Sequence, residues 1–99
     1  MIVITERFAG NLKRCRKQSW MSQEALAARA SLHRTEIGKL ENAERLPKID
    51  TLVKLAGAMS IPAERLLDGI VWTPGYSEEG RFVFSSAGPL LRTGQNEPT

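Results

Sequence analysis

Apolar residues recur at helical spacing through the first two thirds of the chain, in five successive segments. Phe8, Leu12 and Cys15 mark one face of a first helix from about Thr5 to Gln18, with Thr5 as its expected N-cap and Glu6 beside the positive helix end. "SQEALAARA" predicts a second helix, capped by Ser22, with Leu26, Ala27 and Ala30 inward. A short break at "SL" leads to a third, "HRTEIGKLE" (about 33–41), anchored by Ile37 and Leu40. "NAERLP" reads as a loop. A fourth helix follows, with Ile49, Leu52, Val53, Ala56 and Met59 as its apolar stripe. Pro62 suits the first turn of a short fifth helix through Leu66 and Leu67, and Asp68–Gly69 stops it.

After Gly69 the period changes. Ile70–Trp72 and Phe82–Phe84 are β-branched and aromatic runs bounded by Pro, Gly and charge, the signature of short strands. "AGPLLRTGQNEPT" reads as a flexible tail. The expected organisation is a helical domain over 1–69, a strand-like extension over 70–85 and a tail over 86–99. The extension either forms a dimerisation element, packed beside "IVI" at 2–4, or covers the end of the core.

Charge sharpens this picture more than composition does. Ten of the 14 Lys and Arg residues fall within residues 1–48 against five acids, and the remainder carries four bases against six acids. A basic half joined to a slightly acidic one suits a polyanionic partner for the first. The single cysteine, Cys15, and single histidine, His33, exclude an internal disulfide and a Cys/His zinc site. Cys15 lies on an apolar stripe and reads as a core thiol. With no phosphate-binding glycine loop and no Ser/His/Asp set, enzyme chemistry, cofactors and metals have nothing to attach to. "MIVIT" is too short for a secretory signal and no apolar run spans a bilayer, so the expected location is cytoplasmic, at the nucleoid, with no membrane role.

Two short helices joined by a tight turn invite a helix-turn-helix reading. Small Ala27 permits a close crossing, Leu32 in the turn points inward, and Ile37 and Leu40 hold the third helix from below. His33, Arg34, Thr35, Glu36 and Lys39 are left outward, near the end that enters a major groove in this architecture. Trp20 and Met21 are expected to cover the core between the first two helices. Glu36 is placed to bond back to the His33 amide.

"SQEALA" at 22–27, "SLHRTEIGKLENAERLP" at 31–47 and "LVKLAGAMSIPAERLL" at 52–67 resemble, in order and spacing, the lambda-repressor-like (Cro/xenobiotic-response-element type) helix-turn-helix family. The resemblance implies an all-α, five-helix DNA-binding domain, with the extension adding one or two strands, in a bacterial transcriptional regulator that works as a homodimer on palindromic double-stranded DNA. It implies base reading by Arg34, Thr35 and Lys39. Phosphate contacts fall to Gln23, Asn42, Arg45 and Lys48, and His33 suits a helix cap or a phosphate neighbour. Arg16 and Glu41 match a structural salt bridge.

Ser31 and Ala43 stand where this family often has glycine, and Gly38 where serine is frequent. A mid-helix glycine costs about 1 kcal/mol relative to alanine, and its bareness suits close approach of a helix or of DNA backbone. Two other classes of function remain open on sequence grounds. One is an antitoxin whose extension binds a protein partner. The other is a protein-interaction module, in which Arg34 and Lys39 are ordinary solvated charges and the basic half has no explanation.

Overall fold

The computed structural model describes residues 3–75 and 79–85. The chain divides into two compact units, 1–67 and 68–99. The first holds helices α1 (Ile4–Gln18), α2 (Gln23–Ala30), α3 (Arg34–Glu41) and α4 (Ile49–Ala58), then a 3₁₀ turn at Ala63–Arg65. Among the described residues there are thus four α-helices, and the expected fifth is a single tighter turn. Pro62 is its N-cap rather than a first-turn residue.

Helix α1 begins one residue earlier than the sequence suggested, so Thr5 is not the cap. Val3 is, its N–H donating to Glu6 Oε1 at 3.3 Å. The other predicted cap is in place: Ser22 Oγ accepts from the Ala25 amide at 3.0 Å. Phe8, Leu12, Cys15, Leu26, Ile37, Leu40, Leu55 and Leu66 form the fully enclosed centre of the core. The Cys15 thiol is buried there, 3.9 Å from the Arg65 carbonyl oxygen. Helix α3 lies against α1 and α2, and α2 also meets α4.

All four helices end the same way. The residue after the last turn is left-handed (Trp20, Ser31, Ala43 and Ser60, with φ between 57° and 62°), although none is glycine. The following amide reaches back to a carbonyl five residues earlier: Met21 to Arg16, Leu32 to Ala27, Glu44 to Lys39 and Ile61 to Ala56, at 2.9–3.2 Å. This is the Schellman closure. It satisfies terminal carbonyls and reverses the chain within a few residues, which holds α2 and α3 on a tight turn.

Three apolar expectations are corrected. Trp20 does not cover the core: it is 94% exposed, because its left-handed backbone turns the side chain away from the α1–α2 junction. On α4, Leu52, Leu55, Ala56 and Met59 are buried, whereas Ile49 and Val53 are 76% and 58% exposed. The helix carries two adjacent apolar ridges, and only the one facing α2 and the 3₁₀ turn is covered. Val3 and Ile4 open α1, so they add no strand to the extension. Ile2 and the 86–99 tail lie outside the described residues.

The second unit begins at Asp68. Gly69 is left-handed (φ 77°) and ends the preceding turn. Strands β1 (Ile70–Pro74) and β2 (Gly80–Phe84) pair antiparallel, Val71 opposite Val83 and Trp72 opposite Phe82. The Trp72 and Phe82 rings meet edge to face, with centroids 5.1 Å apart. Gly80 is required by this packing, since a Cβ there would lie 2.3 Å from the indole.

Candidate nucleic-acid interface

Three residues fix α3 from inside. Arg16 on α1 donates to both oxygens of Glu41, Nε to Oε2 at 2.6 Å and Nη2 to Oε1 at 3.0 Å, and its Nη1 donates to the Met21 carbonyl at 2.9 Å. Gln23 Nε2 donates to Glu41 Oε1 at 3.0 Å. The last residue of α3 is therefore tied to α1, to the α1–α2 turn and to the first residue of α2. Buried charges need such saturation of their bonding sites. The hydrogen bond to Glu41 raises the Arg16 pKa above the ordinary arginine value. Stability from a raised base is lost only as pH rises through the folded-state value, so the arginine keeps this tie up to strongly alkaline pH.

The outer side of α3 is built differently. His33 is its N-cap, with Nδ1 accepting the Thr35 amide at 3.1 Å, which leaves Nε2 as the donor nitrogen. Arg34 and Thr35 are exposed, Lys39 is half-exposed, and Ile37 and Leu40 face the core. Arg34 Nε sits 3.0 Å from Glu24 Oε2 on α2, with both side chains more than half exposed. The Glu36 carboxylate accepts from Arg45, so it is turned toward the loop rather than back to the His33 amide. Among the described residues, Asn42 and Arg45 are exposed after α3, and Lys48 is the exposed N-cap residue of α4. Arg45 and Lys48 line an open cleft with Glu36, Leu46, Asp50 and Thr51.

The candidates thus fall within one run of the chain, residues 23–48. It runs from the start of α2 (Gln23), along the outer face of α3 (His33, Arg34, Thr35, Lys39), through the loop (Asn42, Arg45) to the start of α4 (Lys48). Gly38 is half-exposed and, among the described residues, nothing beyond its chain neighbours and its own helix backbone lies within 4 Å of where a Cβ would stand. No helix packs closely there, which removes one of the two reasons considered for that glycine.

Two supporting residues were not apparent from sequence. Asn11 is buried on α1 and its Nδ2 donates to the Leu66 carbonyl at 3.0 Å, tying the end of the helical unit to α1. Its position between Phe8 and Leu12 on the inward stripe was the available signal. Arg29 Nε donates to the Ala58 carbonyl at 2.8 Å, satisfying the end of α4 from α2. Nothing in the local sequence of Arg29 marks that long-range role. Among the described residues no helix is long and apolar enough to cross a membrane.

Comparison with known proteins gives the same stretch a family. The control protein C.SmaI of Serratia marcescens is 41% identical over 64 residues, 65% of this chain and 76% of that protein. The uncharacterised HTH-type transcriptional regulator YqaE of Bacillus subtilis (strain 168) is 26% identical over 92 residues, 93% of this chain and 79% of that one. Among solved structures, the restriction-modification controller protein C.AhdI of Aeromonas hydrophila superposes with a TM-score of 0.61 at 31% identity, covering 63% of this chain and 94% of that one. The helix-turn-helix family HTH_3 matches residues 12–66, which take in α2, the turn, α3 and α4 entire. The chain therefore belongs to the HTH_3 helix-turn-helix family and is a sequence-specific DNA-binding transcriptional regulator, not an enzyme.

Proposed function

We propose that α3 enters the major groove of a palindromic operator, one copy of the protein on each half-site. Arg34, Thr35 and Lys39 read base edges, while Gln23, His33, Asn42, Arg45 and Lys48 hold the phosphate backbone. The observation that carries this reading is the division of α3 into two faces. Ile37, Leu40 and Glu41 are locked inward, and Arg34, Thr35 and Lys39 project from a rigidly placed helix. Precise placement matters because a bidentate arginine–guanine contact discriminates by about 1–3 kcal/mol only when its geometry is right.

The acidic partners do not oppose this. The exposed pairs Arg34–Glu24 and Arg45–Glu36 are of a kind worth roughly 0–1 kcal/mol. A phosphate or a guanine edge replaces such a partner at little expense. Gln23, by contrast, keeps one Nε2 hydrogen on Glu41, and its second Nε2 hydrogen and its place at the α2 N-terminus are what it offers a phosphate. A homodimer supplies the second α3 that a two-fold operator requires. On the strength of the likeness to the restriction-modification controller protein C.AhdI, we read the regulated genes as those of a restriction-modification system.

Selection of bound duplexes from a random library tests the proposal. The expected result is an inverted repeat with half-sites about one helical turn apart. Affinity should fall steeply with salt, and Arg45→Ala or Lys48→Ala should each flatten the log–log slope by about 0.9. Equal binding to random and selected duplexes at physiological salt sinks the reading. A small toxin co-purifying with the chain would instead place the extension in an antitoxin role.

A further inference from the structure

The bases of α1 take no part in the base and phosphate contacts proposed above. From Arg7 to Gln23 the chain has no acidic residue, yet it carries Arg7, Lys13, Arg14, Arg16 and Lys17. Arg16 is turned inward to Glu41. Lys13 and Lys17 are exposed and form no ion pair among the described residues. At about 100° per residue, they follow Arg16 around α1 by about 60° and 100°, on the side away from Leu12. Since Arg16 is the residue that reaches α3, the two lysines lie beyond that contact on the same flank.

The α1–α2 turn continues the flank. The Lys17 carbonyl accepts the Trp20 amide at 3.0 Å, and the Met21 carbonyl is held by Arg16 Nη1 at 2.9 Å. Gln23, which opens α2, joins the Arg16–Glu41 pair. Trp20 therefore stands between an exposed lysine and the residue proposed to hold a phosphate at the start of α2.

Trp20 is also the outlier of its turn. It is 94% exposed on a left-handed backbone (φ 59°), a conformation that bulky residues rarely adopt. The other helix ends that close this way use Ser31, Ala43 and Ser60, all small. Among the described residues nothing accepts its indole N–H. Nothing inside the helical unit offsets the backbone strain or the exposure of the ring, and outliers of this kind mark function. An indole suits a nucleic-acid backbone: its flat apolar body packs on deoxyribose while its N–H donates to a phosphate oxygen.

We infer that Trp20 and Lys17 make a further contact to the DNA backbone, with the indole lying on the sugar–phosphate chain beside the phosphate held by Gln23. The inference rests on the groove docking proposed above and extends its footprint to α1. The acid-free run gives the flank the charge that a polyanion requires. Such a contact sets affinity and register and reads no bases.

The test uses the full chain and the duplex recovered from the random library. Trp72→Phe leaves Trp20 as the single tryptophan, so emission reports that indole alone. Adding the duplex should cut its quenching by acrylamide at least about twofold, as burial of the ring against a strand requires. Trp20→Gly should fold at least as stably, because glycine suits the left-handed position. It should nevertheless bind the duplex about tenfold more weakly, with the parent's salt slope. Lys17→Ala should instead flatten that slope by about 0.9. An indole as open in the complex as in the free chain, or Trp20→Gly binding as tightly as the parent, overturns the assignment while groove docking stands. An unchanged slope in Lys17→Ala overturns the part given to Lys17. Shielding of Trp20 that grows with protein concentration before DNA is added would place it between copies of the chain, and overturns the DNA contact too. A library that enriches no duplex overturns the groove docking, and this inference with it.

Discussion

Helix α3 is held in opposite ways on its two sides. Inside, Arg16 and Glu41 form a pair whose side chains are almost out of water, 12% and 1% exposed, and the half-buried Gln23 joins it at Glu41. Outside, Arg34 and Glu24 form an ion pair at 3.0 Å in which both side chains are mostly exposed, 59% and 67%. Both are arginine–glutamate pairs, yet they do different work. Desolvation makes the inner pair expensive to break from one side only. Solvent screening makes the outer pair nearly free to exchange. A reading helix needs both: a fixed frame, and side chains available to a new partner.

The comparison is most easily broken at Glu41. Glu41→Ala leaves the Arg16 guanidinium without its carboxylate in a largely dry site, and should cost about 3 kcal/mol in urea unfolding, the low end of the range for buried pairs because Arg16 keeps some solvent. A loss under about 1 kcal/mol would show that the inner pair behaves like a surface one. Arg34→Ala should do the converse. Folding stability should change by no more than about 0.5 kcal/mol, while discrimination at one operator base pair falls by about 1–3 kcal/mol, read by competition with single-base variants.

Smaller effects sharpen the contrast. Gly38→Ala meets open space in the protein and adds helix propensity, so thermal melts should show a gain of about 1 kcal/mol. Operator binding should weaken in the same variant if DNA backbone passes close to that position, as the proposed docking implies. Unchanged binding would place Gly38 away from the groove wall. Glu24→Gln frees Arg34 and should tighten operator binding by less than about 1 kcal/mol, with little change in stability. A large loss of binding would show that Glu24 orients Arg34 rather than merely occupying it.

Much of the helical unit was readable because its signals are local. Ser22 as a cap, Leu26 and Ala30 inward, and Ile37 and Leu40 beneath α3 all follow from spacing of three and four residues. The reading failed where two local solutions looked alike. Ile49 and Val53 make as good a stripe as Leu52, Leu55 and Ala56, and periodicity does not say which ridge the rest of the protein covers. Trp20 read as core because it is large and apolar, but the left-handed turn after α1 decides where it points. The segment after Pro62 has helical composition, yet with Gly69 following so soon the chain closes only one 3₁₀ turn.

The sequence alone determined the family, the order of the helices and the identity of the residues on the outer face of α3, because these rest on local periodicity and a recurrent motif. It also marked Ser31 and Ala43 as standing where glycine is usual, and both are left-handed. Only the tertiary structure decided which charges are bound and which are available. Arg16, Arg29 and Arg34 are the same residue type on neighbouring helices. One closes a buried cluster, one satisfies the end of α4, and one stays in solvent with an exchangeable partner. The difference is set by distance and burial between elements far apart in the chain, and those exist only once the helices have packed.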